Sequence, residues 1–375
     1  MRKSLFLLIL TAALAACSGS TPAPSPTAAG SSQPGAVPTQ QLTPTGLPAG
    51  GFPLLDTALD GHIVYSNGDG NIYLIDPRPG ASPRKAIGPP DNKGFLQEPA
   101  WSADGQRIAY SYLLPFDTSG LPAQDLLSAN ADGSSPQTLL AHTMNGEVYA
   151  SPAFSPDGRF MYYSHSTPIL NADKQVTGVT LVLERIDLQT KQTTQIASNG
   201  IQPAVSPDGK QITFVRINPD TFQQDLMTAD ADGQNLKAIV PSNATGYGIN
   251  GPRWTPDGKR ILFGVPNLFS RRNVEIAQAP ASLAERLLSW FAGIFTVSVA
   301  EAHGPPWDLW IVDASGENLQ RLTEIGEDDP TAAWSPDGKY FAFVGLAGFY
   351  IVDASGKNVH WLIRDGGRGR VDWKK

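Results

Sequence analysis

A chain of 375 residues is long enough for one large domain or two ordinary ones, and 41% hydrophobic residues allow a real core. The 37 Gly and 32 Pro favour many short strands joined by tight turns over long helices. A formal net charge of -7 with no Lys/Arg run excludes a nucleic-acid footprint, and a single cysteine excludes an internal disulfide framework or a Cys-rich zinc site.

Arg2 and Lys3 form a short positive region ahead of an apolar stretch from Leu5 to Ala16. That stretch is too short to cross a bilayer comfortably, so residues 1–16 read as a secretory signal peptide. It ends in Leu14-Ala15-Ala16-Cys17, which resembles a bacterial lipobox: small side chains suit the protease subsites and the Cys17 thiol accepts the acyl chain. Residues 17–52 then read as a lipidated cysteine and a disordered tether, rich in Pro, Ser, Thr and Ala. The expected product is exported and held by its lipid anchor on the cell membrane or outer membrane. Its folded part, residues 53–375, faces the periplasm or the exterior.

The folded part is built on a repeat. Trp101-Ser-Ala-Asp-Gly105 recurs as Phe154–Gly158, Val205–Gly209, Trp254–Gly258 and Trp334–Gly338, each followed by a segment of period-2 alternation such as Gln106–Ser111. Pro presets φ, Asp bonds nearby amides and Gly takes the positive-φ position, so each unit is a β-hairpin. A second hairpin follows each one, from Asp125, Leu181, Asp225, Asp308 and Phe349, and two hairpins make a four-stranded blade. The turn aspartates 104, 157, 208, 257 and 337 are separated by 53, 51, 49 and 80 residues, so the last interval carries an insertion. Ahead of them, His62–Ser66 and Asn71–Asp76 form a degenerate unit without its Trp strand, and Arg370–Trp373 supplies that strand. The expectation is an all-β, six-bladed propeller closed by the C-terminal strand near Trp373, which removes an exposed sheet edge. A non-closing β-solenoid is the structural alternative.

The Trp-Ser-Pro-Asp-Gly hairpin followed by Asp308-Leu-Trp310 and its kin resembles the PD40 (WD40-like) repeats of TolB-type six-bladed propellers, over about residues 56 to 375. TolB is periplasmic and carries an additional N-terminal α/β domain. This chain has a tether and a lipobox in that place, which puts a Tol–Pal partnership in doubt.

The resemblance implies a fold more than a chemistry. Related propellers cap serine hydrolases, yet no Gly-x-Ser-x-Gly elbow occurs here. The five histidines, His62, His142, His165, His303 and His360, are scattered without metal-ligand spacing and read as bystanders. Asp230-Ala-Asp232-Gly233 tempts a calcium reading, but sister loops at Asn130, Asp313 and Asp353 mark all of these as turn-makers first. No cofactor, metal or catalytic residue is expected.

A proline precedes the aromatic or Val position by two in four repeats, at Pro99, Pro152, Pro203 and Pro252. The residues before it, Glu98, Ser151, Gln202 and Gly251, with Thr331 and Arg370 at matching positions, are expected to ring one mouth of the central channel. Varied side chains on a constant scaffold suit a binding rim; solvated loop ends are the plainer reading.

Residues 266–306 are expected to interrupt the fifth blade. Ser282 with Glu285 can cap a helix whose Leu287, Trp290, Phe291 and Ile294 share one face. That face either folds against the propeller wall or docks on a partner or a membrane surface; the apolar run is too short for a span. The sequence therefore reads as a monomeric, non-enzymatic envelope lipoprotein that binds a protein or glycan partner. The alternative is a propeller-type hydrolase or lyase acting at the channel mouth.

Overall fold

The structure, a computed structural model, describes residues 51–116, 119–245, 248–266, 306–367 and 369–375. The signal peptide, Cys17, most of the tether and the expected helix with Leu287, Trp290, Phe291 and Ile294 lie outside the described residues. Near the start of the described residues, the Phe52 ring meets Tyr350 and Trp361 edge-on, each at 5.9 Å.

Strands run in chain order β1 (His62–Ser66), β2 (Ile72–Ile75), β3 (Arg84–Ile87), β4 (Phe95–Trp101), β5 (Arg107–Leu113), β6 (Gln124–Asn130), β7 (Gln137–Leu140), β8 (Val148–Phe154), β9 (Phe160–Leu170), β10 (Val176–Asp187), β11 (Thr193–Ser198) and β12 (Gly200–Val205). They continue as β13 (Gln211–Ile217), β14 (Gln224–Asp230), β15 (Lys237–Val240), a four-residue helix α1 (Ser242–Thr245), β16 (Asn250–Trp254), β17 (Arg260–Pro266), β18 (Trp307–Asp313), β19 (Gln320–Arg321), β20 (Ala332–Trp334), β21 (Tyr340–Gly345), β22 (Gly348–Asp353), β23 (Val359–Ile363) and β24 (Val371–Lys374).

Each Trp-Ser-Pro-Asp-Gly turn folds for a local reason. Ser102 Oγ donates to Asp104 (2.6 Å) and accepts from the Arg107 amide (2.9 Å), while Gly105 sits at φ +68. Ser155, Ser206, Thr255 and Ser335 make the same bond to Asp157, Asp208, Asp257 and Asp337. These bonds hold Asp104, Asp157, Asp208 and Asp257 below the usual carboxylate range; at Asp337 burial opposes, and the Lys339 amide and then Ser335 bring the carboxyl down.

The sheets are β24-β1-β2-β3, β12 to β15, β16 to β19 and β20 to β23, together with one eight-stranded sheet. Six separate four-stranded sheets were expected; four are found. The difference arises where β6 and β8 meet through one parallel bridge, Gln124 with Val148, and the Gln124 amide donates to the Glu147 carbonyl (3.1 Å). That contact merges the β4–β7 hairpins with the β8–β11 hairpins.

The inner strands β24, β4, β8, β12, β16 and β20 touch in cyclic order, closing a ring around a central channel. Closure is by β24 on β1, with Ile63 opposite Trp373 and Tyr65 opposite Val371, so the expected closing strand is where the sequence put it. The core lies between sheets: Trp373, Ile63, Tyr65, Phe349 and Ile351 form one such layer.

The antiparallel pairing puts every Trp-Ser-Pro-Asp-Gly turn and every Asp/Gly turn at one end of the ring, here the turn face. The opposite loop face carries the longer connections, among them an extended β9–β10 hairpin of 11 and 12 residues where equivalent strands have 7.

Candidate functional site at the central channel

The inner strands β4, β8, β12 and β16 share a bulge at the dipeptide ending in proline. The residue before proline is left-handed in all four: Glu98 (φ 54), Ser151 (φ 56), Gln202 (φ 56) and Gly251 (φ 55). This is costly for a residue bearing a side chain, and it turns that residue out of the ladder toward the channel. In the next inner strand the left-handed residue is Asp329, not Thr331, and β20 starts only at Ala332.

The expected rim residues are brought together, though as a wall more than a solvated edge. Ser151, Gly251 and Thr331 are buried; Glu98, Gln202 and Arg370 are half-buried. Glu98 takes the Ser151 amide (2.6 Å) and hydroxyl (3.0 Å) and pairs with Arg370 (3.2 Å). Gln202 takes the Gly251 amide (2.8 Å) and donates to Asn250 (2.7 Å), which reaches Asp329 (2.5 Å). Thr331 donates to the Gly369 carbonyl (3.2 Å). Each contact joins one inner strand to the next, so the rim residues act first as a belt around the channel.

One step further along each inner strand lies a position the sequence reading passed over. It is Ala100, Ala153, Ala204 and Ala333 in four strands, but Arg253 in β16 and Asp372 in β24. The signal was present in the repeat alignment: the residue before the aromatic breaks a run of alanines twice, with opposite charges. Both side chains are half-buried. Burial, then the nearby Arg370, pushes Arg253 down to about 10, so it remains charged at neutral pH. Burial raises the Asp372 carboxyl, opposed by Arg253 and by the amides of Trp101 (2.7 Å) and Trp373 (2.9 Å).

Above this layer, on the turn face, a cavity of about 380 Å³ opens between Trp101, Trp254, Trp334 and Trp373, with Arg253 and Asp372 at its base. Its size falls at the small end of ordinary ligand pockets.

Two further arrangements escaped the sequence reading. Asp125, Asp225 and Asp308, each opening the third strand of its hairpin pair, accept the backbone amide seventeen residues on, from His142, Ser242 and Ile325 (2.8, 2.9 and 2.8 Å). Asp308 is fully buried and pairs with Arg321 (2.7 Å). His165, expected to be a bystander in a loop, lies in β9 between Glu147 and Glu184, each at 3.0 Å, stacked on Tyr149 at 4.4 Å. Burial opposes its charge, but Glu184 and then Glu147 raise it above its ordinary value. Among the described residues no group of three or more His, Cys, Asp or Glu has the geometry to hold a metal ion. No described helix is long and apolar enough to cross a membrane.

No family model matches the chain. It is 29% identical over 173 residues to an uncharacterized protein of Agrobacterium fabrum, covering 44% of this chain and 52% of that one. It is 29% identical over 134 residues to the Tol-Pal system protein TolB of Anaeromyxobacter dehalogenans (33% and 29%). It is 27% identical over 252 residues to dipeptidyl-peptidase 5 of Porphyromonas gingivalis (58% and 34%). The matches thus span about half or less of these curated relatives. TolB from Acinetobacter baumannii superposes with a TM-score of 0.56 at 18% identity, over 84% of this chain and 66% of that one. The fold is an all-β propeller of the TolB kind, with almost no helix among the described residues.

Proposed function

We propose that the chain is an exported lipoprotein, anchored through Cys17, whose six-bladed propeller binds an envelope protein on its loop face without catalysing a reaction. The eight-stranded sheet counts as two blades in this reading, and the support is the cyclic order of β24, β4, β8, β12, β16 and β20. One observation carries the binding role. Of the eight exposed large hydrophobic side chains among the described residues, six stand on the loop face: Phe95, Phe116, Met144, Ile169, Leu170 and Leu346. Exposed apolar groups gathered on one face mark an interaction site. The pair Ile169–Leu170 sits on the β9–β10 hairpin where it outgrows the sheet. The expected result is that I169D/L170D abolishes capture of envelope partners by the lipidated protein while its melting temperature holds. Undiminished capture by that variant refutes the assignment.

A second reading, a propeller-type hydrolase or lyase working at the channel mouth, is favoured by the match to dipeptidyl-peptidase 5 and by the raised carboxyl of Asp372. It requires turnover of peptide or glycan substrates that D372N removes.

A further inference from the structure

Arg253 poses a problem that the belt around the channel does not solve. Its side chain is half-buried, and among the described residues its one hydrogen bond goes to the neighbouring Pro252 carbonyl (3.0 Å). No described carboxylate lies in ion-pair contact with it. Glu98 is committed to Arg370 and Ser151, and both Asp372 oxygens accept backbone amides. A second guanidinium, Arg370, stands nearby. Asp372 and Glu98 attract the Arg253 charge from beyond ion-pair distance, yet its fork makes no other hydrogen bond among the described residues, and a fork of that kind is what a carboxylate ligand completes.

The cavity above Arg253 supplies the room. Trp101, Trp254, Trp334 and Trp373 line it while staying only 5–7% exposed, Pro207, Pro256 and Pro336 add apolar edges, and Lys374 and Lys375 also border it. The planar fork of an arginine matches a carboxylate with two parallel bonds, while Asp372 at the same base disfavours a dianion.

We propose that the turn-face cavity binds a small ligand bearing one carboxylate on a compact apolar body, with the carboxylate on Arg253 and the body against the apolar lining of the cavity. The site lies at the opposite end of the channel from the proposed docking face and does not depend on it.

Isothermal titration of the purified chain with phenylacetate and with its neutral counterpart phenylacetamide tests this. The acid should bind at least about tenfold tighter than the amide, the size expected for charge-assisted hydrogen bonds. R253Q should erase that preference while the chain stays folded, with at most a small fall in melting temperature, recovered in R253K, as Asp372 loses the attraction of Arg253. R253K, which keeps the charge and loses the fork, should restore part of the preference. I169D/L170D should leave phenylacetate binding unchanged, which separates failure here from failure of the docking face. Equal affinity for acid and amide, no binding of either, or a preference that survives R253Q overturns the proposal. So does a fall in melting temperature in R253Q with no recovery in R253K, which makes Arg253 a structural residue.

Discussion

Replacing Trp373 by alanine should separate the ring closure from the rest of the core. The indole is 5% exposed and packs with Ile63, Tyr65 and Val371 in the layer between the first and last sheets. Its Nε1 donates to the Asp60 carbonyl at 2.9 Å. Losing a buried Trp side chain costs about 3–5 kcal/mol. Losing a hydrogen bond adds about 1 kcal/mol, so the total is about 4–6 kcal/mol. Set against a whole-domain stability of roughly 5–15 kcal/mol, that is enough to leave much of the protein unfolded in mild denaturant. Trp373→Phe keeps most of the area and loses only the N–H bond, for about 1–2 kcal/mol. Urea unfolding followed by far-UV circular dichroism measures both, because the signal does not depend on the tryptophan removed. A W373A cost below about 1 kcal/mol would refute the claim that β24 holds the ring shut.

Asp308→Ala should cost about 3–5 kcal/mol, because it strands Arg321 and the amides of Ile325 and Gly326, whereas Asp125→Ala, at a more open copy of the same tether, should cost less; paired urea titrations compare them. The raised imidazole of His165 makes its contribution fully present below its ordinary value of 6.5 and lost as pH rises through the native value, so H165Q should flatten the stability profile on that alkaline limb. Glu147 works in the opposite sense: burial opposes its charge, but Thr143, Tyr149 and His165 hold it down to about 2, so its contribution is present above 4.5 and lost as pH falls toward about 2, and E147Q should remove that acid limb in the same titration. Gly251→Ala should cost about 1–3 kcal/mol in a thermal melt, with partial recovery in G251A/T331A. The reason is the Thr331 methyl, 2.6 Å from where the new Cβ would stand; φ alone does not forbid it, since Glu98, Ser151 and Gln202 hold the same backbone.

The turns were the most legible part of the sequence because their cause is local. Ser102, Asp104 and Gly105 settle one another's conformation within four residues, and so do their four copies. The closing strand was legible for a different reason: Trp373 repeats a pattern set elsewhere, and Arg370 found its partner Glu98 in a distant segment. What escaped was set by contacts between segments with no shared motif. Asp308 reads as an ordinary strand-start residue until the amide of Ile325 folds back onto it. His165 reads as a loop residue until β9 is seen to run on as far as Leu170. Arg253 and Asp372 were visible as breaks in an alanine column, but only the ring places both at the base of one cavity. The Thr331 position misled because its strand lacks the bulge that aligns the other four.

The single bridge between Gln124 and Val148 bears on how the ring can deform. Main-chain bonds tie other seams too, from the Leu96 amide to the Gly70 carbonyl (3.0 Å), from Ile217 to Asn199 (2.8 Å) and from Trp307 to Glu327 (2.7 Å), but these are isolated contacts outside the strand ladders. Where β6 and β8 share a ladder bond, sliding would break a main-chain contact, so that arc behaves as one stiff wedge spanning two hairpin pairs. The seam between the β16–β19 and β20–β23 sheets carries the Trp307–Glu327 bridge, so sliding there would break a main-chain contact as well. Arg253 and Asp372 belong to β16 and β24, so the base of the cavity rests on inner strands whose neighbours are tied by main chain as well as by side chains.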